Sequence, residues 1–199
     1  MGETLSAEPG DSVRWPRPPE RGYTVDDLLT LDSLPPRTQL MDGSLVFVSP
    51  QRYYHFSVID LLMSGLRRTL PTELTLAREM PLRLDDGNAP LPDVMVLRAG
   101  ALTSLDQDCF EARDALLAVE VVTPESASRD GTTKPLKYAA AGVPHYWRVE
   151  RDMGTDQPVV HVYERVPLTG AYRHMGLRRE RIRVAEPFDV DFELALARP

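Results

Sequence analysis

Apolar residues at Phe56, Ile59, Leu62, Met63 and Leu66 recur at intervals of three and four, which predicts an amphipathic helix from Tyr54 to Leu70, halted by Pro71. Before it, Thr24 can cap a short helix through Asp26–Leu29, and Pro35-Pro36 ends whatever follows. Asp42-Gly43 then separates two apolar runs within Gln39–Val48, the strongest short signal for a hairpin. Leu74–Met80, Val94–Leu97 and Leu116–Val122 read as strands. The last is apolar on both parities, as expected of a central strand covered on both faces. A helix is expected over Lys134–Ala141, with Thr132 or Thr133 as cap, Pro135 in its first turn, and Gly142 and Pro144 as its stop. His145–Val149, Val159–Arg165 and Arg181–Val184 add strands, the last two partly polar and so nearer an edge or in a C-terminal hairpin. The fold class is α/β (α+β), a mixed central sheet flanked by helices.

Residues 1–22 carry Pro9, Pro16, Pro18 and Pro19 with no apolar period, so a flexible extension is expected there and one domain over 23–199. A lone cysteine, Cys109, excludes an internal disulfide framework, and His55, His145, His161 and His174 are too scattered for a histidine metal cluster. No charged-then-apolar leader opens the chain, and no apolar run approaches the roughly 20 residues that span a bilayer, so a soluble cytoplasmic protein is expected. The net charge of −7 argues against a broad nucleic-acid-binding surface, although Arg67-Arg68 and the cluster Arg178, Arg179, Arg181 and Arg183 leave room for a local basic groove.

The informative residue is Glu120, an ionisable side chain inside the apolar run Ala115–Val122. Carboxylates are almost never fully buried without a partner. Pro92-Asp93 precedes it and Lys134 follows, and two carboxylates with a lysine are the parts of a metal-dependent phosphodiesterase. Asp93 and Glu120 are the expected ligands of Mg2+ (or Mn2+), with the main-chain carbonyl of Val121 as a further oxygen. Lys134 falls in the expected first turn of its helix, where the macrodipole disfavours a cation, so a lysine aimed at a phosphate oxygen or the attacking water would explain it. Lys137 is the reserve. Ordinary alternatives stand beside each reading: Asp93 as a turn residue, Glu120 exposed or paired with an arginine, Lys134 as a solvated lysine, and His55 as a capping or surface residue with at most a phosphate contact.

Tyr23–Leu29, Leu40-Met-Asp-Gly43, Ser49-Pro50 with His55, Pro92-Asp93, Val119–Pro124, Asp130 with Lys134 and Tyr138, Ala141–Trp147 and Leu168–Tyr172 together resemble the Uma-two family of endonucleases. That family is a branch of the PD-(D/E)XK nuclease superfamily, built around a mixed sheet. In it, the lysine expected two residues after the glutamate has moved onto the following helix, and here Val122 fills the vacated place. The resemblance implies Asp93 and Glu120 as metal ligands, Lys134 as the catalytic lysine, His55 as an accessory position, DNA as the partner and a homodimer. It departs at Gln39, where the family usually carries a glutamate, and at Pro135. Those departures and the acidic charge motivate the rival reading, a catalytically inactive binding module for nucleic acid or protein on the same fold.

Overall fold

The computed structural model describes residues 17–124 and 126–197, so most of the expected extension over 1–22 lies outside the described residues. Twelve strands are present among them: β1 (Gln39–Met41), β2 (Ser44–Val46), β3 (Leu74–Ala77), β4 (Leu82–Arg83), β5 (Val94–Arg98), β6 (Phe110–Glu111), β7 (Ala115–Val121), β8 (His145–Arg151), β9 (Pro158–Arg165), β10 (Tyr172–Arg178), β11 (Arg181–Val184) and β12 (Val190–Glu193). Six of them form the central sheet in the order β10-β9-β8-β7-β5-β3. All its neighbours are antiparallel except β7 and β8, and a parallel pair needs a crossover. The helical segment ending in α3 (Lys134–Ala140) supplies it.

The run expected to be central is central, and its alternation sorts the core. Leu117, Val119 and Val121 of β7 join Val58, Ile59, Leu62 and Leu66 of α2 (Tyr53–Arg67) on one face. Ala118 faces Tyr138 of α3 and Tyr146 of β8 on the other. Because side chains alternate across a strand, Glu120 shares the parity of Ala118 and points to the α3 face. One face is therefore a dry aliphatic layer, and the other receives the carboxylate.

The local signals act as expected at Thr24 and at the Asp42-Gly43 turn. Thr24 caps α1 (Val25–Thr30) through a capping box closed by Asp27. Asp42 and Gly43 hold positive φ of 49° and 70°, the paired left-handed conformation of a tight hairpin turn, between β1 and β2. Gly22 is fitted against that turn, since a Cβ there would lie 2.8 Å from the Gly43 carbonyl oxygen. Four strands were not foreseen: the two-residue pair β4 and β6, too short to show a pattern; β10, whose exposed and bulged course at the sheet edge carries no clean alternation; and β12, which pairs with the expected β11.

The β11–β12 hairpin closes the aliphatic layer by pressing Phe192 against α2 at Gly65, where a Cβ would come within 2.5 Å of the buried ring. Gly65→Ala should therefore destabilise the protein by about 1–3 kcal/mol from overpacking, despite the better helix propensity of alanine. A thermal melt showing an unchanged or raised Tm would refute this packing.

Candidate active site

Among the described residues, five acidic, basic or imidazole side chains are buried to 4 % exposure or less: His55, Asp93, Glu120, Asp130 and Lys134. They meet where β5 and β7 lie side by side, because the register Val94↔Val119 sets Asp93 beside the end of β7. The Asp93 N–H donates to the Val119 carbonyl at 2.9 Å, and the Val121 N–H donates to Asp93 Oδ2 at 2.7 Å. Val121 thus meets Asp93 through its amide.

Glu120 is fully engaged. Its Oε2 lies 2.8 Å from Lys134 Nζ, and its Oε1 accepts from the Tyr138 hydroxyl at 2.6 Å. Asp130 Oδ1 is 3.0 Å from the same ammonium, and the Asp130 carbonyl accepts from the Tyr146 hydroxyl at 2.6 Å. Asp130, Lys134 and Tyr138 recur every four residues, so they form one stripe of the helical segment turned toward Glu120.

The segment differs from the expected helix in a way that matters for Lys134. Helical structure already begins at Ala127 and passes through a π-helical turn at Arg129–Thr133, so neither Thr132 nor Thr133 caps it. The Lys134 N–H bonds to the Arg129 carbonyl, one residue further back than in an α-helix. Pro135 lacks an N–H, and its ring would clash with the carbonyl four residues back in a regular helix. The widened turn is the kind of distortion that accommodates it. Lys134 is thus past the first turn, and what holds it is the pair of carboxylates. Lys137, the reserve lysine, points away and pairs with Asp42 at 2.5 Å.

Burial pushes the Glu120 carboxyl up to about 8; Lys134 opposes that shift, and Asp130 and Asp93 add to it. For Lys134, burial alone would lower the pKa, but Glu120 and Asp130 more than offset it and hold the ammonium firmly protonated. Burial and the neighbouring Glu120 also raise the Tyr138 hydroxyl well above its usual value, so it stays a hydrogen-bond donor.

Around Asp93 a second group assembles. His55 Nε2 lies 3.0 Å from Asp93 Oδ1, so His55 is a buried partner of Asp93 and not a surface residue. Arg37 reaches the same oxygen at 3.4 Å and also pairs with Glu79. One ligand atom each from His55, Glu79 and Asp93 lie within 4.8 Å of one another, a spacing that ligands about 2.1–2.5 Å from a shared Mg2+ or Ca2+ ion would show. Gln39 Oε1 and His55 Nδ1 are buried without a hydrogen-bond partner among the described residues, so acceptor capacity is left over. The donor set that the geometry gathers, the carboxylates of Glu79 and Asp93 with the His55 imidazole, fits a divalent cation. Glu79 and Arg37 escaped the sequence reading because Glu79 reaches the site from a left-handed backbone (φ 53°) outside any patterned element. Asp130 carried a usable signal in its spacing of four from Lys134.

A six-stranded mixed sheet with an acidic residue at each of two neighbouring strands places the chain in the restriction-endonuclease-like class. The profile of the Uma2 family, described as "Putative restriction endonuclease", matches residues 25–197, and the chain belongs to that family. Its fold is similar to the crystal structure of a protein from Anabaena variabilis described as a "putative nuclease belonging to DUF820", with a TM-score of 0.59 and 17% identity over 71% of this chain and 79% of that one. No curated protein sequence matches it.

The raised Glu120 pKa has a defined sign. Its contribution to stability is complete below the unfolded carboxyl value of 4.5 and is lost as pH rises toward about 8, because the folded state resists ionisation. Glu120→Gln carries no such proton. The Tm of the variant minus that of the wild type should therefore rise between pH 5 and pH 8. A difference that is flat or falling with pH would contradict the buried, raised carboxyl.

Proposed function

We propose that the protein is a Mg2+- or Mn2+-dependent endonuclease that hydrolyses DNA phosphodiester bonds. The observation that carries this reading is the buried Glu120–Lys134 pair at 2.8 Å, with Asp93 on the neighbouring strand. A cation held by Asp93 and Glu120, with the Val121 carbonyl and Glu79 available, would supply Lewis-acid activation of the phosphate and water. Lys134, permanently charged, stabilises the negative charge that develops on the phosphoryl oxygens as water attacks. Tyr138 and Asp130 hold Glu120 and Lys134 in register, so the charges are fixed before substrate arrives. His55 orients Asp93 and sits close enough to meet a phosphate oxygen.

Calorimetric titration of Mn2+ should show binding to the wild type that is lost in Asp93→Asn. Glu120→Gln should abolish Mn2+-dependent cleavage of DNA, single-stranded or duplex, while keeping a native circular dichroism spectrum, and Lys134→Ala should lower the rate by about 10²–10³-fold if it contributes as one preorganised donor does. Metal-independent behaviour, or wild-type cleavage by Glu120→Gln, would remove this site and favour a non-catalytic binding module.

A further inference from the structure

We infer that the site is reached by an unpaired polynucleotide strand through a single basic cleft, in preference to intact duplex; this inference rests on the nuclease reading above. Asp93, Glu120, Asp130 and Lys134 are all buried. The phosphates of a duplex lie on the outside of a stiff cylinder and cannot descend to buried groups without a trough as wide as the duplex. A single strand can turn a phosphate inward and splay its bases aside.

The structure offers such an entrance. A cleft of about 400 Å³ opens between the loop preceding α2 and the residues that follow β7. The size falls in the range of roughly 300–1,000 Å³ typical of sites for small-molecule-sized groups. His55 forms part of its wall and touches Asp93 Oδ1 at 3.0 Å, so the cleft ends at the acidic group. Arg52, Arg129 and Arg151 line it, and no carboxylate does among the described residues, although the protein as a whole carries a net charge of −7. Arg129 stands directly before Asp130 and has no ion-pair partner among the described residues. Arg151 lies over the Tyr54 ring at 5.0 Å and is paired with Asp156.

The remaining wall suits a base. The Phe47 ring is 45 % exposed on the same cleft, beside Val48 and Pro50. Arginine forks that take phosphate oxygens two at a time, next to an aromatic face on which any base can stack, are the elements by which single strands are held without sequence preference.

Fluorescence anisotropy in EDTA, with fluorescein-labelled oligothymidine, oligouridine and a duplex of equal length, separates binding from cleavage. The single strands should bind several-fold more tightly than the duplex, the two single strands distinguishing DNA from RNA. Arg129→Gln should reduce the slope of log K against log salt by about 0.7, the loss of one phosphate contact on a single strand. Phe47→Ala should weaken binding about tenfold with the slope unchanged, since stacking is not ionic. Duplex binding as tight as single strand, or an Arg129→Gln variant unchanged in both affinity and slope, overturns the inference. Single-strand binding without Mn2+-dependent cleavage would keep the cleft and remove the nuclease reading, whereas Mn2+-dependent cutting of duplex by a protein indifferent to single strands would do the reverse.

Discussion

The contact between Glu120 and Lys134 constrains everything around it. Both side chains are buried, and removing two charges from water costs several kcal/mol per ion unless close geometry and further hydrogen bonds compensate. Here the carboxylate gains the Tyr138 hydroxyl and the ammonium gains Asp130. That requirement fixes how the crossover segment lies on the sheet, because a shift of one residue along the helix would turn the whole stripe of Asp130, Lys134 and Tyr138 off β7. Breaking one partner in such a pair typically costs about 3–5 kcal/mol, more than most single contacts in a domain of this size. The pair therefore acts as the pin between the central strand and its covering helix, and it does so at a site where hydrophobic residues would have packed more cheaply.

The two faces of β7 divide the work. Toward α2 the strand offers Leu117, Val119 and Val121 to an aliphatic layer sealed by Phe188, Val190 and Phe192. Toward α3 it offers Ala118, whose small side chain leaves room for the Tyr138 and Tyr146 rings, 5.8 Å apart at their centroids, to bring both hydroxyls to the polar groups. Asp93 sits where the two faces meet at the strand ends, so it can receive His55 from α2 while its other oxygen is held by the Val121 amide. An apolar layer behind and a polar network around Glu120 in front keep this set of buried ionisable groups in place.

The sequence made Glu120 legible for a simple reason: in a run apolar on both parities, an ionisable residue has nowhere exposed to go. It also made α2, the β1–β2 hairpin and the Thr24 cap legible, because each rests on interactions within a few residues. The start of the crossover helix was misread because its signals, two threonines and a proline, are the ones that normally begin a helix, whereas here they fall inside a π-turn. Glu79 and Arg37 were invisible because their importance lies in contacts with Asp93 across the chain, and nothing local marks them. The edge strand β10 was missed since a solvated, bulged strand has no face to alternate.

The charge inventory of the site bears on the neutral Gln39. Asp93, Glu120, Asp130 and Glu79 are four carboxyl groups gathered around two permanent cations, Lys134 and Arg37. Fully ionised, the group is two negative charges in excess, which is the charge of one divalent ion, so a glutamate at position 39 is not needed to make the site attractive to a metal. Burial, with Asp130 and Asp93 nearby, pushes the Glu120 carboxyl upward against the pull of Lys134, so a proton competes for part of the same excess. Proton and cation would then compete for one electrostatic well. The neutral Gln39 therefore does not add to the repulsion that burial and the neighbouring carboxylates already impose on Glu120.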